Sequence, residues 1–99
     1  MIHDRKRVER IRDAVNTGLE RVSHLHHAID DPDLHENLEL VQHLLEHVDE
    51  FCLRLAAKEQ QGSPEQESRW LDNADSMIDI ARKQTDAMER IFKVYRMPA

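Results

Sequence analysis

The sequence predicts an all-α protein, an elongated up-down-up three-helix bundle with coiled-coil-like packing. Three observations predict it. Apolar residues recur every three or four positions through three long stretches. Only two short breaks, at residues 30–33 and 60–64, interrupt them. The composition, 34% charged with two glycines and three prolines, belongs to long helices and not to sheets. With 99 residues there is room for one domain, residues 1–99, and one modest core.

The first helix is expected over about 3–29, with Val8, Ile11, Val15, Leu19, Val22, Leu25 and Ile29 on one face. Gly18 interrupts that face. A glycine there costs about 1 kcal/mol relative to alanine, and it marks a close helix contact. A hairpin centred near Asp31 sets Leu44 opposite it. The helix stops at Asp30-Asp31-Pro32, because the residue before a proline is pushed out of the α region. Pro32 suits the first turn of a second helix, and Asp31 is its natural N-cap.

The second helix is expected over about 32–60. Leu34, Leu38, Leu40, Val41, Leu44, Leu45, Val48, Phe51, Cys52 and Leu55 make a wide apolar arc, so this helix should touch two neighbours. Gly62 can take the left-handed C-cap conformation. Ser63 then caps a third helix over about 64–96, with Pro64 at its first position. Its seam is Leu71, Ala74, Ile78, Ala81, Thr85, Met88, Phe92 and Tyr95, a sustained seven-residue repeat. Asp79–Lys83, Asp86–Arg90 and Glu89–Lys93 each place an acid four residues before a base on the exposed side. The basic end of this helix, Arg90, Lys93 and Arg96, should lie near the acidic first turn.

The formal charge of −6 argues against a general affinity for nucleic acid. Arg5, Lys6, Arg7, Arg10 and Arg12 cluster, but Asp4, Glu9 and Asp13 are interleaved, so they read as a solvated helix end. No apolar run is long enough for a membrane span. The charged N-terminus lacks a signal peptide's apolar core, so a cytoplasmic setting is expected. The single cysteine, Cys52, excludes an internal disulfide and falls on the core stripe, as an inert buried thiol does.

Seven histidines are the compositional oddity. His43 and His47 sit one turn apart, as metal-binding pairs on helices do. His24, His27 and His35 gather at the first turn, with His27 and His35 close to each other. These five are weak candidates for a divalent metal; a solvated polar face is the preferred reading, and no cofactor is expected. The His43-x-x-x-His47 turn resembles one helix of hemerythrin-type iron proteins, but the remaining ligand helices of that family are missing. His26 lies on the buried face and is expected to form a polar layer with Asn37 and Tyr95. No glycine-rich phosphate loop or activated nucleophile is present, so no enzymatic activity is expected.

Trp70, Met77, Ile80, Ile91 and Val94 lie beside the main seam of the third helix and suggest a second contact surface. The expected function is therefore that of a small non-enzymatic helical protein-interaction module. It would act by binding a protein partner or itself, with a homodimer through the third helix as the expected form. The alternative is a divalent-metal-binding or metal-sensing bundle.

Overall fold

Three helices, α1 (Arg5–Ala28), α2 (Pro32–Ala56) and α3 (Pro64–Arg96), each pack on both of the others. The computed structural model describes residues 4–56 and 63–96, with the side chains of all but 56 and 94–96. No strand occurs among the described residues. The bundle measures 56 × 17 × 16 Å, the elongation that helices of 24 to 33 residues impose when laid side by side.

Each described helix start has a side-chain cap. Asp4 Oδ1 accepts from the Arg7 backbone N–H at 3.1 Å, Asp31 Oδ1 accepts from Asp33 and Leu34 at 2.9 and 3.2 Å, and Ser63 Oγ accepts from Gln66 at 3.2 Å. The expected caps Asp31 and Ser63 are thus in place, whereas Gly62 falls outside the described residues. α1 ends in an extended Ile29, whose N–H still reaches the Leu25 carbonyl at 2.8 Å.

The core runs the length of the bundle. α1 gives Val8, Ile11, Val15, Val22 and Leu25, and α2 gives Leu38, Val41, Leu45, Val48, Cys52 and Leu55. α3 gives Leu71, Met88 and the small residues Ala74, Ala81 and Thr85, which let its backbone approach closely. Thr85 satisfies its buried hydroxyl by donating to the Ala81 carbonyl at 2.7 Å. Glu67, 5% exposed, accepts from the Asp4 backbone N–H at 3.1 Å and so ties the start of α3 to the start of α1.

Two packing expectations need correction. Gly18 meets Leu45, not Leu44: a Cβ at position 18 would come 2.9 Å from Leu45 Cδ1. Leu40, expected in the core, is 61% exposed because it lies at the rim of the α2 arc, past Leu44.

The basic cluster of α1 does more than face water. Arg7 binds Asp72 and, at 2.7 Å, Asp75 of α3. Farther along, Arg21 binds Asp86 and Glu89 at 2.8 and 2.9 Å. Arg21 therefore takes the Asp86 carboxylate that was expected to hold Arg90; Arg90 reaches only the Asp86 carbonyl, at 3.4 Å. Lys83 and Lys93 do pair with Asp79 and Glu89 as their spacing predicts.

Candidate interaction face

α2 and α3 run antiparallel, and on the side away from α1 they enclose a shallow groove of about 150 Å³. His47, Val48 and Phe51 line it from α2, and Trp70, Asn73, Ala74 and Met77 from α3. Phe51 and Trp70 meet edge to face, with centroids 5.9 Å apart and planes at 87°. That pair fixes the levels of the two helices. Each step back along α2 matches a step forward along α3, so Leu44 lies level with Met77 and Leu40 level with Ile80.

The surface residues expected on α3 divide accordingly. Trp70 and Met77 are half-buried against the core and form the groove wall. Ile80, 50% exposed, extends the apolar surface past Met77, and Ile91, 42% exposed, lies eleven residues farther along α3. The side chain of Val94 lies outside those described. Sequence reasoning missed Leu40, the most exposed large apolar residue among those described. Its signal was available, since residues 40, 44, 47 and 51 repeat at helical spacing along the α2 edge that faces α3. Exposed apolar side chains thus occur on α2 as well as on α3.

At the first turn the histidines make contacts other than those expected. His35 stacks on His26, with centroids 4.1 Å apart and planes at 15°, and its Nε2 lies against the Ile29 carbonyl. His27 is exposed, its Nδ1 hydrogen-bonded to the Ser23 carbonyl at 2.7 Å, so it does not pair with His35. His26 Nε2 lies 3.8 Å from Glu39, not beside Asn37, which is exposed. The side chain of Tyr95, the third member of the expected layer, is outside those described. His24, His43 and His47 are exposed. Among the described residues, no group of three or more His, Cys, Asp or Glu side chains could hold a metal ion.

Cys52 is fully buried. Burial pushes its thiol up, the nearby Asp49 carboxylate adds to this, and Arg12 opposes it. The thiolate is therefore disfavoured, and Cys52 has no nucleophile's setting. No helix among the described residues is long and apolar enough to cross a membrane. No family model, curated protein or solved structure matches the chain.

Proposed function

We propose that this protein is a non-enzymatic helical docking module that binds a protein partner, or its own copy, through the α2–α3 face. The observation that carries the reading is the exposure of Leu40 and Ile80 beside the Phe51–Trp70–Met77 groove, with Ile91 exposed farther along α3. Rigid antiparallel helices present such a strip with little ordering cost on binding. Regulator, adaptor and inhibitor are all roles such a module can fill, and its charged surface suits the cytoplasm.

The test is capture from the native host by the full chain, compared with a chain carrying Leu40→Glu and Ile80→Glu. The reading expects specific capture or self-association that the double variant loses while its helicity stays the same. Binding that is indifferent to both substitutions would refute it. Divalent-metal binding has weaker support: the stacked His26–His35 pair beside Glu39 is the nearest approach to a donor set. Metal content after purification without an affinity tag tests that alternative.

A further inference from the structure

The charged borders of the α2–α3 face identify its occupant. Along the outer edge of α2, Glu36, His43 and Glu50 fall at seven-residue steps, with Arg54 one turn beyond; all are exposed. Along the outer edge of α3, Arg69, Ser76, Lys83 and Arg90 do the same, with Glu65 one turn before. One border is mainly acidic and the other mainly basic, and the apolar strip runs between them. We propose that a second copy of this chain covers the face, related by a two-fold axis parallel to the bundle, so that α2 of each copy lies on α3 of the other. This rests on reading the face as a docking surface, and names its partner.

Two-fold symmetry offers two ways to stack the face on itself. An axis across the bundle lays α2 on α2 and α3 on α3. It sets Glu36 against Glu50 and gathers Arg69, Lys83 and Arg90 with their own copies, a repulsive arrangement. An axis along the bundle crosses the borders and joins acid to base.

The parallel axis also fixes the register. A pure two-fold allows no sliding along itself, so α2 meets the partner copy's α3 at the same level at which it meets its own. The Phe51–Trp70 contact supplies that level. It brings Glu50 of one copy beside Arg69 of the other, Glu36 beside Lys83, Asp33 beside Arg90, and Arg54 beside Glu65. Each pair is offset by about two residues, roughly 3 Å along the axis, well within the reach of these side chains. Leu40 of one copy meets Ile80 of the other in the middle of the strip. Every contact occurs twice.

Within the chain, Glu50 already holds Arg54 at 2.7 Å and Lys83 holds Asp79 at 3.0 Å. These exposed pairs within a helix are weak, and the second copy extends them into networks. The apolar strip supplies affinity, and the borders select the orientation.

Sedimentation equilibrium of the full chain at tens of micromolar tests the proposal. The unmodified chain is expected to sediment as a dimer. Arg69→Glu with Lys83→Glu raises the dissociation constant at least about tenfold, because four contacts become repulsive. Adding Glu36→Lys and Glu50→Lys to the same chain restores association, since the borders are exchanged. Circular dichroism checks that these exposed substitutions leave the helices intact. A monomer mass for the unmodified chain overturns self-docking. The docking reading itself falls separately, if Leu40→Glu with Ile80→Glu leaves both self-association and capture of other proteins unchanged. A dimer indifferent to the charge reversals overturns the crossed arrangement.

Discussion

Leu45→Ala tests the core where all three helices meet. Leu45 is 2% exposed, fills the space left by Gly18 on α1, and borders a groove of about 250 Å³ with Ala81 and Thr85 of α3. The substitution removes three carbons, about 2.4 kcal/mol at roughly 0.8 kcal/mol per buried methylene. Incomplete collapse around the void adds about 1 kcal/mol, within the range of 2–5 kcal/mol for such truncations. The better helix propensity of alanine returns a few tenths. The open groove lets neighbours relax, so the loss is about 3 kcal/mol, a fall in Tm of roughly 12–24 °C for a domain of this size. Urea unfolding followed by far-ultraviolet circular dichroism, at one fixed protein concentration, reads it directly. A loss below about 1 kcal/mol, with an unchanged denaturant slope, would mean that Leu45 is not a core residue.

Three further outcomes follow from other parts of the bundle. Gly18→Ala changes stability by less than about 1 kcal/mol, because the helix gain offsets the shift forced on Leu45 Cδ1, the free end of a flexible side chain. Gly18→Leu leaves no such escape and costs more than about 2 kcal/mol, both read by the same urea titration. Acidification weakens the fold in part through Glu89, whose carboxyl is held below its ordinary value of 4.5, first by Arg21 and then by Lys93. A depressed carboxyl stabilises the native state above that value and loses this as pH falls through the depressed one, so Arg21→Gln flattens the acid limb of stability against pH. An unchanged limb would show the pair to be uncoupled from folding. Cys52 should react with a thiol reagent only at the rate of unfolding at neutral pH, and prompt reaction in the native state would contradict its burial.

The helices were legible in the sequence because the signals were local. Pro32 and Pro64 sit at helix starts, Asp31 and Ser63 cap them, and the apolar repeats are long. Gly18 announced a close contact, but a hairpin estimate from turn position alone carried an error of one residue, enough to exchange Leu44 for Leu45. The α1–α3 ion pairs were illegible for a related reason. Arg7 and Arg21 reach across the bundle to Asp75 and Asp86, and local spacing favoured partners on the same helix. The buried Glu67 was hidden too, since its partner is a backbone N–H at the far end of the sequence. For the candidate face, periodicity found Ile80 and Ile91 but assigned Leu40 inward. A wide apolar arc does not say which of its edges a third helix will cover.

A second copy of this chain docking on the α2–α3 face is the most consequential proposal for this bundle. A two-dimensional amide spectrum of the isotope-labelled chain, followed from low micromolar to near-millimolar concentration, tests it most directly. The account predicts concentration-dependent shifts at Leu40, His47, Trp70, Ile80 and Ile91, including the indole of Trp70. The outward residues of α1, such as Glu9, Asn16 and Glu20, should stay fixed. Shifts confined to α1, or spectra unchanged over the whole range, would contradict association through this face.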